Sequence, residues 1–417
     1  MKSTKTGAAL AVVIFTAFVN FVGMTIVIPI LTPICIPGGL FFPDPSTSKT
    51  LCTAFLGLLL GLFPLCQFFS APIVGAFSDR IGRRRVLLYS IAGMTAGYII
   101  LGLAMLWKSP GLALFGRVVQ GVFSGSLAVI QSAISDLSDE KTRTRNFGLF
   151  GAALGASMFV GPALGGLLSD RGLVSWFSYA TPFWVAAILG VFNYFQVAGA
   201  FSETLPLEKR RTTEMYLLSG PVNIFRVFGD PLRRQLFLAV FLFGFGFNFF
   251  IQFFQYFLIE KFSVTQTQLG LIFSYVGIVA VLTQAGAVSF VSRRFSARRV
   301  LAWTLLQVTP VYPLLLLMPS YGWIFALVFL SPLLNGISLP NLTTIVSSLA
   351  DSKSQGEILG VNQSVMAIAQ FLPPLIGGFF VGLHYTLPLW ISGFFIFLSW
   401  AVFITCPVCE TVKRGEG

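Results

Sequence analysis

Gly75-Ala76-Phe77-Ser78-Asp79-Arg80-Ile81-Gly82-Arg83-Arg84 stands between two long apolar runs, at about 52–74 and about 86–106. Each run is long enough to cross a bilayer, which takes roughly 20 residues of helix. The glycines at either end of the stretch permit a tight turn and a close approach of helices. Asp79 is placed to cap a neighbouring helix N-terminus and to pair with an arginine.

Ten more runs of the same kind lie outward from this pair, at about 7–29, 110–134, 146–168, 178–200, 235–257, 268–290, 299–318, 322–346, 358–381 and 386–406. They are continuous rather than alternating, so helices rather than a closed barrel must satisfy the backbone in lipid. Composition agrees. Of 417 residues, 55% are hydrophobic and only 10% charged. A soluble chain carries roughly a quarter charged residues. The 45 phenylalanines suit lipid-facing and pocket-lining surface. The first run is too long for the core of a signal peptide and ends without a small-residue cleavage site, so a retained first helix is expected.

The net charge of +12 could serve an anionic partner, but the cations fall mainly in short loops. With the N-terminus inside, 22 Lys and Arg fall on the inner side and 4 on the outer, leaving Arg117 within a span. That asymmetry follows the positive-inside rule and supports an even number of spans with both ends inside. The longest polar stretch, about 201–234, divides the spans six and six. Its part from Asn223 to Arg234 could lie on the membrane surface as an amphipathic helix, interrupted by Pro231.

The two halves repeat weakly. Arg83-Arg84-Arg85-Val86-Leu87 opens the third span and Ala297-Arg298-Arg299-Val300-Leu301 the ninth. Gly161-Pro162-Ala163-Leu164-Gly165-Gly166 in the fifth matches Pro373-Pro374-Leu375-Ile376-Gly377-Gly378 in the eleventh. Six-helix repeats with a site between them near the midplane are a transporter architecture.

Three motifs carry the functional argument. The Gly75–Arg84 stretch is one, with a degenerate second-half copy in which Arg293 replaces the acid and Ser296 replaces Gly82. The second is Arg117-Val118-Val119-Gln120-Gly121, an arginine placed too deep to be cheap in lipid unless it faces protein or water. The third is the fifth span, where Gly148, Ser157, Gly161-Pro162 and Gly165-Gly166 allow close packing and loosen the backbone ladder. Together they resemble the Major Facilitator Superfamily over nearly the whole chain. The Asn20–Pro29 stretch and Gln355-Gly356-Glu357 before Gly360 resemble its tetracycline/proton antiporter branch.

The resemblance implies an all-α integral membrane fold of twelve transmembrane helices in two pseudo-symmetric six-helix bundles, 1–200 and 235–417, joined by a cytoplasmic loop at 201–234. It implies that Gly75, Asp79, Arg80, Gly82, Arg83 and Arg84 form a gate on the inner side. By the same resemblance Gly161, Pro162, Gly165 and Gly166 let the fifth helix rock, and Arg117 with Gln120 tunes a proton site or holds an anionic group. The sequence departs from the branch at Asn20, where aspartate is usual, and at Ser157, where glycine is usual.

The departure at Asn20 bears on energy coupling. All fifteen acids fall in loops or at helix ends, and the one histidine, His384, falls in the last outer loop. Three readings stand: protons bound at a helix-end acid such as Glu260 or Glu357, an anionic substrate met by Arg117, or uncoupled transport. The expected lining is neutral and polar: Asn20, Asn248, Gln252, Gln255, Gln284, Asn335, Asn341, Asn362, Gln363 and Gln370. With aromatic neighbours it would suit a bulky amphipath. Cys35 and Cys52 could pair or remain thiols, and Cys406-Pro407-Val408-Cys409 is too little for a metal. No phosphate-binding loop of the Walker type is present, so ATP is not the expected energy source. The expected function is multidrug-type efflux of an amphipathic organic compound by a proton antiporter, working as a monomer without cofactor or nucleic acid in a bacterial inner membrane. The alternatives are a transporter of an anionic metabolite, siderophore or lysolipid, and a receptor or scaffold that has kept the fold. An enzyme is excluded by the lack of any Ser/His/Asp set or metal cluster.

Overall fold

A computed structural model describes residues 2–139, 142–206, 208, 210, 231–348 and 355–406. Among them all regular structure is helical, and twelve helices are long and apolar enough to cross a membrane. They are α1 Gly7–Cys35, α2 Lys49–Ile81, α3 Arg83–Leu106, α4 Pro110–Asp136, α5 Arg145–Ser169, α6 Thr181–Ala200, α7 Arg233–Phe262, α8 Gln266–Ser292, α9 Ala297–Leu317, α10 Tyr321–Ser348, α11 Gly360–Leu383 and α12 Leu387–Ile404. The number and order of spans are those read from the sequence.

Several boundaries differ, each for a local reason. α2 does not stop at Val74 but runs to Ile81, so most of the Gly75–Arg84 stretch is helix and the turn is Gly82 alone. Apolarity marks where lipid ends, whereas a helix continues as long as its backbone bonds are made. α1 reaches Cys35 but is broken at Thr25–Ile28, because Pro29 starts a new helical piece there. Pro231 likewise opens the helix that carries α7. α8 carries a π-helical turn at Thr283–Ala287, a bulge of the kind that tends to sit at functional places. The surface segment proposed at 223–230, and Cys409 of the Cys-x-x-Cys pair, lie outside the described residues. So do the side chains of Gln355, Gly356 and Glu357.

Packing repeats with the sequence. In the first half α1 packs on α5 and α6, and α3 packs on α4 and α6. In the second half α7 packs on α11 and α12, and α9 packs on α10 and α12. Adding six to each number of the first set gives the second. Helices in lipid gain nothing from the hydrophobic effect between themselves, so close backbone approach has to hold them.

By contact the chain divides into two compact units, Met1–Ser46 with Leu62–Leu217 and Thr265–Ser274, and Thr47–Gly61 with Leu218–Val264 and Tyr275–Gly417. The first unit has a core of Val13 and Ala17 from α1, Leu87 and Ile91 from α3, and Ile130 and Ala133 from α4. In the second, Phe245, Phe249 and Phe253 form a column along α7 with ring centroids 5.7 and 5.5 Å apart.

Glycine makes the closest crossings in both units. A Cβ on Gly165 would lie 2.1 Å from the Ile26 carbonyl oxygen, and one on Gly161 would lie 1.9 Å from Thr25 Oγ1. On the neighbouring face of α5, Gly166 meets Gly270 of α8, where an added Cβ would be 2.8 Å from the Gly270 Cα. The second unit repeats the device, with Gly377 against the Phe253 ring and Gly378 against the Thr53 carbonyl of α2. Gly57 completes that crossing, since its Cβ would lie 2.2 Å from the Pro374 carbonyl oxygen.

Gly165→Leu should therefore force α1 away from α5 and lower the thermal unfolding midpoint of the purified protein, because overpacking costs about 1–3 kcal/mol or more. Gly148→Leu on the same helix is the control, as a Cβ there meets nothing within 4 Å. Equal midpoints for the two variants would remove the glycine crossing as the holding contact.

Candidate functional site

The inner end of α2 and the start of α3 form a charged cluster. Gly82 has φ +104°, in the region where an L side chain is strained. A Cβ at Gly82 would also lie 2.1 Å from Glu203 Oε2. Glu203, arriving from the stretch after α6, accepts the backbone N–H of Arg83 at 2.8 Å and that of Arg84 at 3.3 Å. It is Glu203, not Asp79, that caps this helix N-terminus. Asp79 instead accepts from Arg83 Nη1 at 2.5 Å, and Arg83 Nε lies 3.5 Å from Asp136. Arg84 donates to the Ala198 carbonyl. Gly75 has open space around its Cβ position, so no close approach occurs there.

Arg117 is buried within the first unit rather than extended to the outer headgroups. Its Nη1 donates to Gln120 Oε1 at 3.2 Å, and its guanidinium sits 4.8 Å from the centre of the Phe63 ring. The i to i+3 spacing puts both polar groups on one helix face. Gln120 Nε2 and the Tyr98 hydroxyl are buried without a partner, which leaves donors in reserve beside the cation.

Phe63 also lines a cavity of about 40 Å³, together with Asn20, Phe21, Met24, Gln67, Ser124 and Ser126, among others. Asn20 Nδ2 donates to Ser126 Oγ at 3.2 Å across it. The cavity holds about one water. Asn20 and Arg117, read separately from the sequence, thus share Phe63 as a neighbour.

The amides of the second half are dispersed. Asn335 is fixed between α9 and α10, donating to Tyr312 Oη at 3.0 Å and to the Ser331 carbonyl at 2.7 Å. Asn248 and Asn341 donate to the carbonyls of Gly244 and Ile337, four residues back. Gln284 lies on the π-helical turn, 3.4 Å from the Gly336 carbonyl. Gln255 Oε1 and Asn362 Oδ1 are buried without a partner, Gln252 is half-buried and Gln363 is exposed. Among the described residues no group of His, Cys, Asp and Glu could hold a metal.

At the opposite ends of the helices from the Gly82 turn stand two polar ties. In the second unit Lys49 Nζ lies 3.1 Å from Glu260, which also accepts from Tyr256 Oη at 3.0 Å. In the first unit Thr267 Oγ1 donates to Asp170 at 2.5 Å and Gln266 Nε2 to Tyr179 Oη at 2.8 Å. The Thr267 hydroxyl and the Gly172 N–H hold the Asp170 carboxyl below the ordinary carboxylate range.

The Major Facilitator Superfamily sequence model matches residues 13–371 and, in a second match, 236–414. The chain belongs to the Major Facilitator Superfamily. The tetracycline resistance protein of class C from Escherichia coli is 30% identical over 374 residues, 89% of either chain. That of class D from Salmonella ordonez is 28% identical over 334 residues, covering 78% of this chain and 79% of its own. Mouse major facilitator superfamily domain-containing protein 10 is 29% identical over 364 residues, covering 80% of this chain and 74% of its own. The crystal structure of the human organic anion transporter MFSD10 (TETRAN) superposes with a TM-score of 0.69 at 20% identity, covering 95% of this chain and 99% of that one. The likeness shows the major facilitator fold. The protein is accordingly a multi-pass membrane transporter of that superfamily and not an enzyme.

Within this superfamily member, sequence reading missed Glu203 as a cap, Gly57 and Gly270 as crossing partners, and Lys49 as a tie. Lys49 and Glu260 carried a signal, being opposite charges at two helix ends on the same side. Glu203 carried none, because 120 residues separate it from Arg83.

Asp170 gives a pH prediction. Its folded-state pKa is depressed, so its contribution is present above the unfolded value and is lost as pH falls through the folded value. Asp170→Asn should unfold about 1–3 °C below the wild type at pH 7, with the gap closing in acid. A gap of the same size at every pH would assign the loss to shape rather than charge.

Proposed function

We propose that this chain exports an amphipathic organic compound by alternating access, in exchange for protons. The observation that carries this reading is the cavity of the first unit, where Asn20, Gln67, Ser124 and Ser126 face Phe21, Met24 and Phe63. Apolar walls with a few placed polar groups are what an amphipath needs. Identity to tetracycline resistance proteins over most of the chain supports the same substrate class. A cavity of about 40 Å³ excludes such a solute, so the helices must part to admit one. The six-helix halves, 1–200 and 235–417, are the bodies that rock, with both termini and the Gly82 turn inside.

In this cycle the ties at the outer ends open and close. An exposed ion pair such as Lys49–Glu260 is worth about 0–1 kcal/mol, weak enough to break at every turnover. Glu260 takes the role that an acid at position 20 has in the related branch. Protonation would cancel its attraction for Lys49 and leave a carboxylic acid still able to bond Tyr256. A second reading, transport of an organic anion, is favoured by the buried Arg117 beside unpartnered donors.

The test is proton flux in liposomes that hold the purified protein and a pH dye. Cationic, neutral and anionic amphipaths, tetracycline among them, would be added under an imposed pH gradient. Tetracycline should evoke proton movement, and Glu260→Gln should largely abolish it while substrate still crosses. Proton movement undiminished in Glu260→Gln would remove that residue from coupling. Transport confined to anions and abolished by Arg117→Gln would replace the first reading with the second.

A further inference from the structure

The two copies of the inner-loop motif carry similar cations but meet different surroundings. Arg293, Arg294, Ser296 and Arg298 occupy the repeat positions of Asp79, Arg80, Gly82 and Arg84. In the first half three carboxylates neutralise the cluster: Asp79 and Asp136 on Arg83, and Glu203 on the start of α3. In the second half no carboxylate among the described residues pairs with Arg293, Arg294 or Arg299. The start of α9 has Ser296 at its cap position with no side-chain hydrogen bond to the first turn. Position 293, where the acid would stand, is itself an arginine.

A pocket of about 370 Å³ opens at this place. Arg293, Arg294, Ser292, Ser296, Asn341 and Thr344 supply its polar lining. Its volume falls within the range of small-ligand sites, about 300–1,000 Å³. Asn341 is more than nine-tenths buried, and its amide nitrogen keeps one N–H beyond the bond it gives to Ile337. The charged residues among those that line the pocket, Arg293 and Arg294, are both positive, and polar side chains line it from both the α8–α9 turn and α10. Arg294 stacks on Phe290 with 4.1 Å to the ring centroid, and Phe290 and Phe295 are both exposed beside it.

We propose that this pocket binds a phosphate-bearing anion, and that an acidic phospholipid of the inner leaflet is its main source. Arginine forks match phosphate oxygens, and helix N-terminal N–H groups add to the attraction. Basic pockets between spans on the inner side of a membrane hold acidic headgroups in this way. The exposed rings of Phe290 and Phe295 lie where the acyl part of such a lipid would continue. The anion does for the second half what Glu203 and Asp79 do for the first.

The test uses the full chain, purified in a neutral detergent, with its thermal unfolding midpoint followed during three titrations at constant ionic strength. The probes are dioleoylphosphatidylglycerol, dioleoylphosphatidylcholine and inorganic phosphate. Phosphatidylglycerol should raise the midpoint and phosphatidylcholine should not. The Arg293→Asp, Arg294→Gln double variant, which restores the acid of the first half, should need at least about ten-fold more phosphatidylglycerol for the same shift. Thr344→Trp should weaken the response too, since it fills the pocket without altering charge; it also keeps the test open if the double variant is not monodisperse. A shift with inorganic phosphate as large as with the lipid, lost in both variants, would keep the site and make a soluble phosphate its ligand. A phosphatidylglycerol response unchanged in Thr344→Trp, or no response in the wild type, would overturn the proposal.

Discussion

In a bilayer a peptide group has no water to turn to, so each helix must satisfy its own backbone before it can touch another. What remains for association is surface contact between finished cylinders, and its strength depends on how near the two axes come. That constraint explains why bare Cα atoms stand at the crossings of α5 with α1 and α8, and of α11 with α7 and α2. Elsewhere the chain is free to use phenylalanine, and it does, in the α7 column and the stacking of Phe250 on Tyr312 at 4.2 Å. Small residues set the distances, and aromatic ones fill what those distances leave.

Charge is kept at the two rims, as the cost of ions in hydrocarbon requires. The exception, Arg117, is accommodated by a glutamine on its own face and an aromatic ring from α2. Elsewhere the polar groups buried among the described helices are mostly amides and hydroxyls. The carboxylates of Glu260 and Asp170 stand at the rims, each bonded to a hydroxyl.

How much of this could be read in the sequence follows from the range of each signal. Twelve apolar runs and a one-sided distribution of arginine are local, and they gave the spans and their order. The motif at Gly161–Gly166 and its copy at Gly377–Gly378 gave the faces on which α5 and α11 pack, because the glycines follow the helical period. Their partners Gly57 and Gly270 were hidden, since a lone glycine in an apolar run has no register of its own. The end of α2 was misplaced because hydropathy reports lipid depth rather than backbone hydrogen bonding. Of the expected polar lining, Asn335 serves the α9–α10 contact instead, which no spacing rule could separate from a ligand contact.

Glu203 also bears on how the first repeat closes on itself. Its carboxylate holds the N-terminus of α3 and also accepts the N–H of Leu205, so the chain leaving α6 is pinned within a few residues of its exit. Arg210 adds a further hold beyond the end of α6, its Nη2 3.9 Å from Glu203 Oε2. The exit of α6 is thereby fastened to the turn that carries Asp79 and Arg83.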